Sequence, residues 1–108
     1  PGVHSLFGSS LETLIFMLST ARCLVSVDTG TMHLSAALGT PVVALFGPTN
    51  PGLTGPYSKQ ADCAVLQSGV DCQPCFRTRN EKRCSLNRCM RELNPQAVFE
   101  SLERLVLA

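Results

Sequence analysis

Apolar residues along this chain fall into blocks with different periods. Leu11, Leu14, Ile15 and Leu18 recur at helical spacing behind Ser9 and Glu12, which stand three apart as in a capping box, so a first helix is predicted there. Phe16 and Met17 widen its apolar face, as expected of a helix covered on more than one side. The run Leu-Val-Ser-Val at 24–27 is too short for a helix and is bounded by Arg22 and Asp28. It reads as a buried parallel strand. A second helix fits 31–38 and stops at Gly39, with Pro41 just beyond. Residues 42–46 form the next buried strand and 64–67 a weaker third. Between them, 47–58 carries Pro48, Pro51, Gly52, Gly55 and Pro56 and reads as a loop. No usable periodicity runs through 72–91. Asn94 as N-cap and Pro95 at the first helical position open a last helix. Its Val98, Phe99, Leu102, Leu105 and Val106 form a stripe that closes over the sheet or reaches a partner domain.

Helices alternating with strands across short connections predict an α/β layer around a parallel sheet, with right-handed crossovers. The 108 residues make one domain or part of one. Apolar residues are 44% of the chain and charged residues 16%, more core and less surface charge than a typical soluble domain, so part of the surface is expected to meet something else. Pro1-Gly2-Val3-His4 carries neither an initiator methionine nor a targeting pattern, and the chain reads as a piece of a longer protein. No apolar run approaches the ~20 residues of a membrane span, and a soluble protein is expected. The net charge of +1 hides an asymmetry. Positions 72–92 sum to +4 and the remainder to −3. That basic stretch suits phosphates or an anionic membrane surface; no nucleic-acid motif accompanies it, and no nucleic-acid partner is expected.

The candidate chemistry lies where the first strand ends, in Asp28-Thr29-Gly30-Thr31. In a parallel α/β sheet, ligands sit beyond the carboxyl ends of strands, facing helix N-termini. Gly30 permits close backbone approach, Thr29 and Thr31 offer hydroxyls, and the N–H groups of Thr31, Met32 and His33 present partial positive charge, which together describe an anion site suited to phosphate. Asp28 is wrong for phosphate but right for accepting hydrogen bonds from sugar or ribose hydroxyls. The alternative is that Asp28 or Thr29 only caps the helix. A second turn, Gly47-Pro48-Thr49-Asn50-Pro51, follows the neighbouring strand and would set two ligand-competent loops side by side, as in a nucleotide site.

The stretch VSVDTGTMHLSAALGTPVVALFGPTNP at 25–51, followed by GPY at 55–57 and CQPCF at 72–76, resembles the C-terminal, donor-binding half of the family 9 glycosyltransferases, the lipopolysaccharide heptosyltransferases. The similarity runs from about Ser9 to the last helix. It implies a Rossmann-like parallel sheet with flanking helices, part of the C-terminal domain of a GT-B glycosyltransferase, with 1–108 a partial nucleotide-sugar-binding domain and 72–91 a Cys-rich basic insertion. It implies inverting transfer of heptose from ADP-heptose to the inner core of lipopolysaccharide, in the cytoplasm or at the inner face of the inner membrane. Asp28 would then bond hydroxyls of the donor sugar, and Thr29, Gly30, Thr31 and Met32 would hold the diphosphate. His33 would help offset charge on the leaving group, unless it is simply packed against the sheet. Gly47, Pro48 and Thr49 would form the adjacent wall. No metal is required for transfer if helix dipole and donors stabilise the leaving group. The family draws its general base from an N-terminal domain not found in these residues, so the piece alone is expected to transfer nothing. A transferase or epimerase for another nucleotide sugar and a non-catalytic zinc-stapled binding module are the alternatives.

Six cysteines divide into two kinds. Cys23 and Cys63 adjoin strands and read as buried packing residues. Cys72, Cys75, Cys84 and Cys89 follow a C-x2-C-x8-C-x4-C spacing compatible with a structural zinc held by four thiolates, with disulfides or reduced thiols as the competing readings.

Overall fold

The computed structural model describes residues 2–56, 58, 61–75, 84 and 86–107. Helix α1, Leu11–Thr20, starts one residue later than the capping pattern predicts. Ser10 is the N-cap, and its hydroxyl accepts the Thr13 N–H at 3.2 Å, so Ser9 and Glu12 do not form the expected box. Strand β1, Leu24–Val27, leads into helix α2, Gly30–Ala37, and strand β2, Val42–Leu45. Helix α2 ends as its sequence requires. Gly39 takes φ +84° and donates to the Ala36 carbonyl, while the Thr40 N–H reaches the Ser35 carbonyl, the paired bonds of a Schellman motif. A single helical turn, α3, Pro51–Thr54, interrupts the predicted loop. Strand β3, Cys63–Leu66, a short helix α4, Arg88–Arg91, and helix α5, Pro95–Leu107, complete the described elements. Asn94 caps α5, its side-chain oxygen accepting the Gln96 N–H at 2.9 Å.

The sheet is parallel, in the order β1-β2-β3, with Val27 level with Leu45 and Leu66. Central β2 explains the apolar character of its run. Val42, Val43 and Ala44 are all fully buried, and because successive side chains alternate between faces, β2 is covered on both. On one face Met32 and Ala36 of α2 pack with Val42, Ala44 and Phe46, flanked by Leu24 and Cys63. Helix α5 also lies against β2, and the guanidinium of Arg22, in the segment before β1, donates to its Val106 carbonyl at 2.9 Å.

Several expectations about burial are corrected. Val25 and Val27 of β1 share one face and are more than 40% exposed, while Leu24 and Ser26 on the other are half-buried, so among the described residues only one face of β1 is well covered. Phe16 of α1 is 64% exposed and Met17 is also exposed, since α1 packs on α2 along one side and nothing described covers the other. In the α5 stripe, Val98, Leu102, Leu105 and Val106 are half-buried but Phe99 is exposed. Cys23 and Cys63 are half-buried, and desolvation pushes both thiols above their usual pKa. Most of the basic stretch, including Arg77, Arg79, Lys82 and Arg83, lies outside the described residues. Among the described residues no helix is long and apolar enough to cross a membrane.

Candidate functional site

Both candidate turns leave the carboxyl edge of the sheet. Asp28 follows β1 directly and Gly47 follows β2 after Phe46, so the in-register pairing of these strands sets the turns side by side. Thr29 occupies the N-cap position of α2 in extended conformation, φ −144° and ψ 170°, but no side chain caps the helix. Its hydroxyl turns back toward Ser26 Oγ, 3.3 Å away, and the Val27 carbonyl at 3.5 Å. The capping reading of this turn is therefore not what the geometry shows. The first N–H groups of α2, which no helical carbonyl can satisfy, receive no capping bond from the Thr29 side chain. Gly30 is exposed, and a Cβ built on it would meet nothing within 4 Å, so open space lies against the start of the helix. Thr31 is half-buried. Met32 offers only its backbone to the turn, since its side chain is fully buried in the core.

Asp28 gathers the two turns. Thr54 Oγ1, at the end of α3, donates to Asp28 Oδ2 at 2.9 Å, and His33 Nε2 stands 4.0 Å from Asp28 Oδ1. The Asp28 side chain is only 18% exposed, whereas that of His33 is 47% exposed, so His33 is not packed against the sheet. A carboxylate has about four acceptor positions. Among the described residues Thr54 supplies the one hydrogen bond to the Asp28 carboxylate, which leaves a largely covered anion with acceptor positions to spare.

The second turn is held from behind by residues without a motif of their own. Gln73 Nε2 donates to the Phe46 carbonyl at 3.2 Å and the Gly47 carbonyl at 2.8 Å, while its Oε1 accepts from the Gly69 N–H at 3.1 Å. The Cys75 N–H donates to the Pro48 carbonyl at 2.9 Å. Gly47 is buried, and a Cβ there would lie 2.8 Å from Met90 Sδ and 3.3 Å from Cys89 Sγ. A side chain at this position would require Met90 to move. Thr49 Oγ1 is buried and has no hydrogen-bond partner among the described residues. Sequence reasoning missed Thr54, Gln73 and Met90, because the contacts that give them a role span 26, 26 and 43 positions and follow no local period.

The four clustered cysteines differ in burial. Cys75 and Cys89 are buried behind the 47–48 turn, whereas Cys72 and Cys84 are exposed. Among the described residues no group of three or more His, Cys, Asp or Glu is placed to hold a metal ion. The spacing permits a tetrahedron, but two thiols are drawn inward by packing on the turn and two face solvent.

Comparison with known proteins gives this arrangement a setting. The family profile described as "Glycosyltransferase family 9 (heptosyltransferase)" matches residues 7–85. The chain is 40% identical over 111 residues to a protein of Pseudomonas aeruginosa named lipopolysaccharide heptosyltransferase 1, covering 92% of this chain and 31% of that protein. It is 38% identical over 97 residues to a protein of the same name from Escherichia coli, covering 89% of this chain and 24% of that one. A lipooligosaccharide heptosyltransferase 2 of Campylobacter jejuni is 29% identical over 99 residues, covering 90% of this chain and 30% of that protein. The chain thus spans less than a third of the length of each of these relatives. No solved structure matches it.

Proposed function

The chain belongs to glycosyltransferase family 9, and from that premise we propose that it is the donor-holding part of an inverting heptosyltransferase that uses ADP-heptose and builds the inner core of lipopolysaccharide. The observation that carries this reading is one sheet edge that joins an uncapped helix start, open space at Gly30 and an under-bonded carboxylate at Asp28. A diphosphate fits the first two and sugar hydroxyls fit the third. The N–H groups of Thr31, Met32 and His33, with the hydroxyls of Thr29 and Thr31, would hold the diphosphate, each charge-to-helix interaction contributing about 0.3–1 kcal/mol at an exposed start.

In the transfer, an acceptor hydroxyl oxygen attacks the anomeric carbon from the face opposite the diphosphate. The bond from that carbon to the leaving oxygen breaks, its electron pair departs on the diphosphate, and the configuration inverts. The hydroxyl proton passes to a general base, which we assign to an N-terminal domain of the same longer chain. Negative charge grows at the leaving oxygen, where the start of α2 and the imidazole of His33 stabilise it without requiring a metal. Gly47, Pro48 and Thr49 would wall the site, and the buried hydroxyl of Thr49 would find in bound donor the partner it lacks among the described residues. The acceptor would be a lipopolysaccharide core intermediate met at the inner face of the inner membrane, the basic residues of 72–91 facing its phosphates.

The test is calorimetric titration of the full-length protein with ADP-heptose, UDP-sugars and GDP-sugars, joined to product analysis by NMR. Selective binding of ADP-heptose and an inverted anomeric centre are expected. Equal or absent binding, or a retained configuration, refutes the reading. The 108 residues by themselves should give no turnover with donor and acceptor.

A further inference from the structure

We infer that Thr54 is a positioning residue for the sugar-binding carboxylate, and that it sets how well the protein distinguishes a sugar nucleotide from a bare nucleoside diphosphate. This rests on the donor reading above. The hydroxyl of Thr54 donates to Asp28 Oδ2 at 2.9 Å, across 26 residues of sequence. The torsion that turns an aspartate carboxylate about its last bond is broad and nearly two-fold, so an unpinned Asp28 would sample many directions. One charge-assisted bond to Oδ2 restrains the carboxylate plane and leaves Oδ1 4.0 Å from His33 Nε2.

The turn that presents Thr54 is built to hold it still. Asn50 caps α3 through its side-chain oxygen, 2.9 Å from the Gly52 nitrogen, Pro51 stands at the first helical position, and the Gly55 N–H closes onto the Pro51 carbonyl at 2.8 Å. The hydroxyl has one proton. Its alternative acceptor, the Asn50 carbonyl, is 3.3 Å away, so the shorter bond to the charged oxygen takes the proton. Among the described residues the Thr54 hydroxyl bonds to Asp28 and Asn50 and to nothing at the start of α2, and this separation of roles is what makes the inference testable.

The experiment compares Thr54→Val and Thr54→Ser with the unsubstituted full-length protein, titrating ADP-heptose and ADP separately and measuring donor KM and kcat. Thr54→Val should weaken ADP-heptose binding roughly tenfold and leave ADP binding unchanged, with the effect confined to donor KM and kcat while acceptor KM stays constant. Thr54→Ser, which keeps the hydroxyl, should restore ADP-heptose affinity to within about twofold. Equal ADP-heptose affinity in Thr54→Val and the unsubstituted protein overturns the inference and leaves the donor reading standing. Parallel loss of ADP and ADP-heptose also overturns it, because that pattern marks a structural role. Failure of the unsubstituted protein to bind ADP-heptose overturns the donor reading and this inference with it.

Discussion

Gln73 Nε2 donates to the Gly47 carbonyl at 2.8 Å, and the same side chain reaches the Phe46 carbonyl and the Gly69 N–H. One amide therefore ties the loop beyond β3 to the turn beyond β2. Removing it leaves partly buried backbone groups without partners, which costs more than the bond itself is worth. Gln73→Ala is expected to destabilise the full-length protein by about 1–3 kcal/mol in urea unfolding. Gln73→Glu should do no better, because its carboxylate would face two carbonyl oxygens. A neutral outcome for both would show that the brace is not needed.

Gly47 admits no side chain while Met90 stays where it is, since its missing Cβ would lie 2.8 Å from Met90 Sδ. Gly47→Ala should cost about 1–3 kcal/mol through overpacking. Shortening the opposing side chain should relieve this, so Gly47→Ala with Met90→Ala is expected to be less destabilised than the sum of the two single variants. Unfolding midpoints of the four proteins in a double-mutant cycle check the coupling.

Asp28 should matter more to the donor sugar than to the fold, because among the described residues much of its hydrogen-bonding capacity is unused. Asp28→Ala is expected to lower kcat/KM for ADP-heptose by about 10- to 100-fold, the range for losing hydrogen bonds to a charged group. The melting temperature should move little. Asp28→Asn retains one acceptor oxygen and should fall between the two.

Burial raises the pKa of Cys23 and Cys63, whereas Cys72 and Cys84 are exposed. At pH 8, iodoacetamide should label Cys72 and Cys84 first and Cys23 and Cys63 last, as read by peptide mass spectrometry. The linkage has a definite sign. The folded state holds these two protons more tightly than the unfolded chain, so their stabilising contribution is complete below the usual thiol range and is lost as pH rises through their elevated values. Stability of the unsubstituted protein should therefore fall on the alkaline side, and Cys23→Ala with Cys63→Ala should flatten that fall.

Local signals were legible where local physics decides the outcome. The short β-branched runs became strands β1 and β2, Gly39 ended α2 through its left-handed conformation, and Asn94 with Pro95 started α5, because caps and strand periods act within a few residues. The Asp28 to Thr31 turn was recognisable for the same reason: it is a strand end, a glycine and a helix start in sequence order.

Tertiary structure alone decided which apolar faces are covered, as Phe16, Val25 and Phe99 show, because periodicity identifies a face but not what lies against it. It alone separated Cys75 and Cys89 from Cys72 and Cys84, since chain spacing does not specify the direction of a thiol. It brought Thr54 to Asp28 and Gln73 to Gly47 through the parallel register of the strands, which places turns from distant parts of the chain on one edge. Sequence by itself determined the longer helices and the strands and marked the turn proposed to hold the donor; the sheet decided which side chains hold that turn in place, because those bonds depend on distances in space that no local pattern encodes.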